Sequence, residues 1–282
     1  MADTIKQTKT FCAGCALRGA FYAVQAAVGR KYNAVFCGDL SCYYLSGSCA
    51  VEPDYLCLEN NTNITLSPGF DGLDPAKKNI VFVRDSTFTA SCLTSIANTI
   101  NDERDITIVV LSTDRPASFK NSDKPNADSF LSSDLPAIVL IRDAIAAIGV
   151  YALFEADPLF VEESIKAVTS ALAHEGLSFV LLDAPCARKM KKADPVYLVA
   201  NACAGCRRCA TAIGCPALTW SKVGHMIAID RSACSGCGLC TDICEFHALA
   251  CSTRERVIPD LPKIDPEFWF PSREEINAAL SQ

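Results

Sequence analysis

Between residues 14 and 186 the apolar positions switch repeatedly between two periods. Leu17, Phe21, Val24 and Val28 recur at helical spacing, which predicts a helix with one apolar face. The run NAVFCGD (33–39) predicts a buried strand, as do NIVFVRD (79–85) and DITIVVLS (105–112), with a helix over TASCLTSIANTI between the last two. A helix near 136–148, a strand in VYALFEA, a long helix in DPLFVEESIKAVTSALAHEG and a strand in LSFVLLDAP follow. Short apolar strands separated by helices mean parallel βαβ units. The expected fold class is therefore α/β, a doubly wound and mostly parallel sheet. Functional residues in such sheets gather at the carboxyl ends of strands, where CGDLSC, VRDST, LSTDR and DAPC all fall. Two stretches, 55–78 and 113–135, are rich in Asn, Asp, Ser and Pro and are expected to be long functional loops.

Beyond this layer the pattern changes. Residues 188–196 read as a linker, and its basic run ARKMKK (187–192) as a solvated stretch more than a docking patch. A cysteine-dense module fills 197–251, followed by a tail with prolines at 259, 262, 266 and 271. Trp269 and Phe270 read as anchors docking that tail, and Ser272 with Glu275 as a capping box starting a last short helix. The expected organisation is thus 1–195, 196–252 and a docking tail 253–282.

Composition narrows the class. The chain has 282 residues, half of them apolar, enough to bury a full core. Its net charge of −6 argues against a nucleic-acid surface. No stretch reaches the roughly 18 uninterrupted apolar residues of a membrane span, because Arg142 and Asp143 break the best candidate. The chain carries 17 cysteines behind a polar amino terminus, so a cytoplasmic location is expected, with thiols used for metal or redox chemistry. The Asn-x-Thr sequences at Asn60 and Asn63 are then chance matches, and the three histidines, His174, His225 and His247, read as structural.

The strongest chemical signal is CAGCRRCATAIGCPAL with CSGCGLCTDICEFHAL. Three cysteines separated by two residues wrap three corners of a cubane, and the lone fourth reaches across to the other cluster in two-cluster ferredoxins. One 4Fe-4S cluster is therefore expected on Cys203, Cys206, Cys209 and Cys244, and a second on Cys234, Cys237, Cys240 and Cys215. Zinc sites would instead bring paired Cys-x-x-Cys or histidines, making the chain a zinc-stabilised interaction module. Five residues separate Cys209 from Cys215, so that loop should bulge. Glu245 stands where proline usually follows the fourth cysteine; a carboxylate there is expected to lower the cluster's potential.

FCAGCALRGAFYAV, CGDLSCYYL, RDSTF, DAPC and the twin cluster motif ending in GCPAL, taken in order, resemble a known family. They are similar to the carboxyl-terminal half of the large subunit of indolepyruvate:ferredoxin oxidoreductases, within the 2-oxoacid:ferredoxin oxidoreductases. Those enzymes use thiamine diphosphate and pass electrons to ferredoxin. The resemblance implies a third 4Fe-4S cluster in the thiamine-binding domain, carried over to Cys12, Cys15, Cys42 and Cys186. Cys42 and Cys186 each follow a predicted parallel strand and so share one edge, which agrees with that reading; buried structural cysteines are its rival. Cys37, Cys49, Cys57, Cys92 and Cys251 are left as core residues.

The family's diphosphate is held through Mg²⁺ by an Asp after one strand and an Asn after the next. Position by position these are Asp85, with Ser86 beside it, and Thr113, whose hydroxyl is the poorer ligand. Arg84 replaces the glycine before the Asp, LENNTNITLSPGF replaces the glycine-rich segment, and Asp114 is a substitute ligand if the loop shifts by one. Arg84 could meet a phosphate, pair with Asp85, or mark a site that has lost the cofactor. The resemblance also implies separate subunits supplying the pyrimidine-binding domain and oxoacid-binding elements, with ferredoxin or another redox protein as acceptor. The expected function is the iron–sulfur subunit of an anaerobic indolepyruvate or 2-oxoacid:ferredoxin oxidoreductase-like complex. The alternative is an electron-transfer subunit with a degenerate thiamine site, serving another enzyme.

Overall fold

The computed structural model describes residues 10–29, 31–39, 42–43, 55–58, 62–74, 76–113, 137–222 and 224–252. Helix α1 (Leu17–Val28) leads into strand β1 (Ala34–Asp39), then β2 (Tyr55–Leu58), α2 (Thr62–Leu73) and β3 (Lys78–Arg84). A helical turn α3 (Asp85–Thr87), a π-helical turn (Phe88–Cys92) and α4 (Leu93–Asn101) run on continuously to β4 (Ile106–Ser112). α5 (Ala137–Ala147), β5 (Leu153–Ala156), α6 (Val161–Ala173) and β6 (Ser178–Asp183) complete the layer. The six strands lie in the order β2-β1-β3-β4-β6-β5, every pair parallel. The chain leaves β1 toward β2 on one side and returns as β3 on the other. The switch point of this doubly wound sheet therefore lies at the carboxyl ends of β1 and β3.

Period-2 alternation assigns each strand residue to a face. Ile80, Phe82, Val109, Leu111, Val180 and Leu182 pack with Phe21 and Val24 of α1 and Val168 and Leu172 of α6. Their neighbours Val81, Val83, Ile108, Val110, Phe179 and Leu181 pack on the opposite face with Ile64, Ile96, Ile141 and Ile145. Both faces are covered, which is why these strands are continuously apolar.

The stretch 55–78 is a correction. It holds a strand and a helix where the sequence predicts a loop. Pro68 lies inside α2, where it removes an amide donor from the helix interior. Tertiary contacts override that local cost: Ile64 is fully buried, and the Asn63 amide donates to Asp39 Oδ1 at 3.0 Å. Asn63 is thus a structural residue. Asn60, residues 114–135 and the tail with Trp269, Phe270, Ser272 and Glu275 lie outside the described residues.

The cysteine-dense segment forms two antiparallel pairs, β7 (Tyr197–Leu198) with β10 (Leu249–Ala250) and β8 (Leu218–Ser221) with β9 (Met226–Ile229). Short helices α7 (Arg208–Thr211) and α8 (Leu239–Ile243) sit between them. Its core, with Ile213, Ile227, Leu239 and Ile243, includes Tyr22 and Ala23 of α1 and Val161 and Ile165 of α6. Helix α1 therefore packs on the sheet with one side and on this module with the other, and residues 16–25 are all buried. The sequence predicts only the first of these faces, because the second is made largely of alanines. Among the described residues no helix is long and apolar enough to cross a membrane.

Gly19 is where the fit of α1 is tightest. A Cβ there would lie 1.8 Å from the Pro158 carbonyl oxygen and 3.0 Å from Leu239 Cδ1. Gly19→Ala is expected to destabilise the protein by about 1–3 kcal/mol, the cost of overpacking, despite alanine's better helix propensity. Thermal denaturation checks this; an unchanged or raised midpoint would contradict it.

Candidate metal centres at the strand ends

The two cysteine triplets are built on the same backbone device. In Cys-x-Gly-Cys, Gly205 and Gly236 take φ of 70° and 74°, a left-handed turn that lets two thiols face one side. The residue after the second cysteine, Arg207 (φ 64°) or Gly238 (φ 78°), is also left-handed and starts α7 or α8. The charges felt by each thiol identify its neighbours. Cys209 responds to Cys244, Cys206 and Cys203, and Cys240 to Cys237, Cys215, Cys209 and Cys234. The structure thus brings Cys203, Cys206, Cys209 and Cys244 into one group, and Cys234, Cys237, Cys240 and Cys215 into another. The influence of Cys209 on Cys240 sets the two groups side by side.

Burial pushes the Cys209 thiol up to about 12 and Cys240 well above the usual range. Both remain protonated at neutral pH until a metal displaces the proton. A small cavity, open to solvent, is lined by all four cysteines of the first group together with Arg207, Arg208 and Phe246. The Ala248 amide donates to Cys244 Sγ at 3.3 Å, the kind of contact that tunes a cluster. No set of three or more His, Cys, Asp or Glu side chains among the described residues is arranged to hold a single metal ion. Cys251, by contrast, is buried and donates to the Gly236 carbonyl at 3.1 Å; Cys37 and Cys92 are core residues.

Glu245 does not act as a lone carboxylate. It forms an ion pair with Arg208, whose guanidinium is buried and also bonds Tyr22 of α1. The adjacent positive charge offsets the lowering of potential expected from the carboxylate alone.

The amino-terminal Cys-x-x-Cys repeats the same turn, with Gly14 at φ 76°. Cys15 responds to the charges of Cys42 and Cys12, and Cys42 to those of Cys186 and Cys12. Four cysteines from three distant segments therefore converge. Parallel strands do the gathering: Cys42 follows β1 and Cys186 follows β6, whose carboxyl ends share one sheet edge. Cys186 is held there by its amide, which donates to the Thr113 carbonyl at 3.2 Å. Cys42 is held through Tyr43, whose ring covers Gly38 so closely that a Cβ there would lie 2.3 Å from it.

Asp85, Ser86 and Thr113 also come together. Asp85 Oδ1 accepts the Ser86 amide at 2.7 Å and Oδ2 accepts the Thr113 amide at 3.1 Å. Thr113 thereby joins Asp85 on one side to Cys186 on the other. Arg84 lies 4.0 Å from Asp85 Oδ1; burial pushes the Cys42 thiol up, and the Arg84 charge only partly opposes that. Asp39 was missed from sequence. It is buried at the switch point, accepts the Arg84 amide at 3.2 Å, and burial pushes its carboxyl up. Its place right at the end of a strand, in CGDLSC, was the available signal.

Comparisons with known proteins agree with this geometry. Residues 227–250 match the 4Fe-4S binding domain family. Indolepyruvate oxidoreductase subunit IorA of Thermococcus kodakarensis is 28% identical over 265 residues, covering 85% of this chain and 40% of that protein. The IorA of Pyrococcus horikoshii is 29% identical over 261 residues, with the same coverages. Over most of its length the chain is thus similar to one part of these IorA proteins. It spans about two fifths of the length of these curated relatives. In fold it is similar to a 2-oxoglutarate:ferredoxin oxidoreductase from Magnetococcus marinus, with a TM-score of 0.52 at 13% identity, over 64% of this chain and 65% of that one.

Two substitutions test the convergence of residues 12, 15, 42 and 186. Cys42→Ser is expected to remove about a third of the iron if three equal clusters are present. Gly38→Ala should displace the Tyr43 ring and deplete the same third of the iron, leaving the ferredoxin module loaded. Iron analysis and cluster spectroscopy on anaerobically purified protein check both; undiminished iron in Cys42→Ser would remove that site.

Proposed function

We propose that this chain is the iron–sulfur subunit of an indolepyruvate or related 2-oxoacid:ferredoxin oxidoreductase-like complex, with three 4Fe-4S clusters. The observation that carries the proposal is the meeting of Cys12, Cys15, Cys42 and Cys186 at the strand ends, beside both the Asp85–Thr113 pair and the ferredoxin-type module. Residues 1–195 would be the cofactor-bearing domain, 196–252 the two-cluster domain and 253–282 a docking tail. The similarity to IorA proteins and the 4Fe-4S family match support the same reading.

Clusters bound at these thiols supply one-electron carriers, and thiamine diphosphate at the switch point supplies the carbanion chemistry of oxoacid decarboxylation. The chain's own residues provide the rest. Asp85, with Ser86 and Thr113, would offer hard oxygens to the Mg²⁺ that holds the diphosphate, and the buried Arg84 guanidinium beside Asp85 suits an anionic phosphate. Contacts of the 12–15 turn favour an order of sites. A Cβ on Gly14 would lie 2.0 Å from Ser235 Oγ, inside the Cys234–Cys237 loop. The Cys12 group thus lies beside the Cys234 group, which in turn neighbours the Cys203 group, and clusters held on these thiols would supply one-electron carriers in that order. The Cys203 group lines the cavity that opens to solvent, where ferredoxin or another redox protein would dock. Separate subunits would supply the pyrimidine-binding and oxoacid-binding elements, in the cytoplasm.

Anaerobic purification with co-purifying polypeptides should yield a brown complex whose broad visible absorption is bleached by reductant. Ferredoxin reduction should depend on a 2-oxoacid and on thiamine diphosphate, and Asp85→Ala should lower thiamine diphosphate affinity at least about tenfold. A complex that binds no thiamine diphosphate and reduces no ferredoxin with any 2-oxoacid would overturn the proposal.

A further inference from the structure

Arg18 is among the most buried residues of the chain, with 1% of its surface exposed, although arginine is almost never fully buried. Its guanidinium reaches neutral acceptors on two structural units, among them the five that follow. Nε donates to the Cys12 carbonyl at 3.1 Å, and Nη2 donates to the Phe11 carbonyl and, at 3.3 Å, to Thr10 Oγ1. On the other side Nη1 donates to the Ile213 carbonyl at 2.5 Å and to the Gly214 carbonyl at 2.6 Å. These two carbonyls directly precede Cys215, the cysteine that crosses to the Cys234 group.

Three further observations bear on its role. The spacing of residues 12, 15 and 18 repeats that of the two triplets, so Arg18 stands where each triplet has its third cysteine. The chain path departs from the triplets just before it, since Ala16 is right-handed helical (φ −61°) where Arg207 and Gly238 are left-handed. The Arg18 charge also reaches the Cys15 thiol. Burying a guanidinium costs several kcal/mol unless hydrogen bonds and an opposite charge offset it. The hydrogen bonds named above go to neutral groups, while thiolate-ligated clusters would place negative charge on both sides of Arg18.

We propose that Arg18 is a shared positioning cation: it fastens the 12–15 turn to the carbonyls ahead of Cys215, and its charge raises the reduction potential of the cluster on each side. The inference rests on the three-cluster reading and adds a residue that ligates none of them. Arginine suits the position because its planar fork satisfies carbonyls on both units at once, while lysine keeps the charge with fewer directed donors.

The test compares Arg18→Lys with Arg18→Gln in the anaerobically purified full chain. Iron per chain, reduction potentials from an EPR-monitored redox titration, and thermal unfolding of the metal-free protein are read for each. Arg18→Gln is expected to shift two of the three cluster signals to lower potential, while Arg18→Lys stays close to the unsubstituted protein. If the neutral variant is too weakly assembled to titrate, loss of iron in Arg18→Gln with retention in Arg18→Lys supports the same role. Variants that behave alike would overturn it, whether both are unchanged, equally shifted, or equally depleted of iron with equal loss of metal-free stability. Absence of iron from the unsubstituted chain would instead remove the three-cluster reading itself.

Discussion

Helix α1 has no free side, and the positions of the candidate centres follow from that constraint. Phe21 and Val24 press it against the sheet, while Tyr22 and Ala23 press it against the cysteine-rich module. The Cys-x-Gly-Cys turn at its start is therefore caught between the strand ends and the Cys234 loop. A helix with one exposed face could slide or tilt as its neighbours changed. This one is fixed by close packing on both sides, and interiors packed at crystalline density transmit displacement rather than absorb it. Gly19 against Pro158 and Gly14 against Ser235 are the points of closest approach.

The sheet supplies the second half of the arrangement. Parallel strands deliver all their carboxyl ends to one edge, so residues distant in sequence meet there without any special local signal. Asp39, Asp85, Thr113 and Cys186 follow or end β1, β3, β4 and β6, and hydrogen bonds join them laterally. Asp39 takes the Arg84 amide, Asp85 takes the Thr113 amide, and Thr113 takes the Cys186 amide. The proposed diphosphate site and the amino-terminal group of cysteines thus share the same few peptide groups. A shift at either one is felt by the other through Thr113, which is hydrogen-bonded to both Asp85 and Cys186.

The fold was legible because the unbroken apolar runs of β3, β4 and β6 and the helical spacing in α1 and α6 are both long and strong. The eight cysteines of the module were legible because spacing alone dictates the grouping. Residues 55–78 were not, since Asn-rich sequence and Pro68 argue locally for a loop, and only the burial of Ile64 and the Asn63–Asp39 bond decide for a helix. The second face of α1 was hidden by its small residues, which carry little hydrophobic signal yet allow close approach. The ion pair of Glu245 was hidden for a related reason: its partner Arg208 lies in another segment and cannot be found by reading neighbours. The likeness of the 12–15 turn to the two triplet turns was present in the glycine of each Cys-x-Gly-Cys. It became plain only when all three glycines proved left-handed.

The central claim is that thiols from the two ends of the sheet domain and from the end of β1 enclose one iron core, adjacent to two others. Anomalous diffraction at the iron absorption edge from anaerobically grown crystals locates such cores directly. Three iron peaks are expected, one of them surrounded by the sulfurs of Cys12, Cys15, Cys42 and Cys186 and nearest to the peak held by Cys234, Cys237, Cys240 and Cys215. Two peaks confined to the cysteine-rich module, with the four amino-terminal-domain thiols facing no metal, would contradict it.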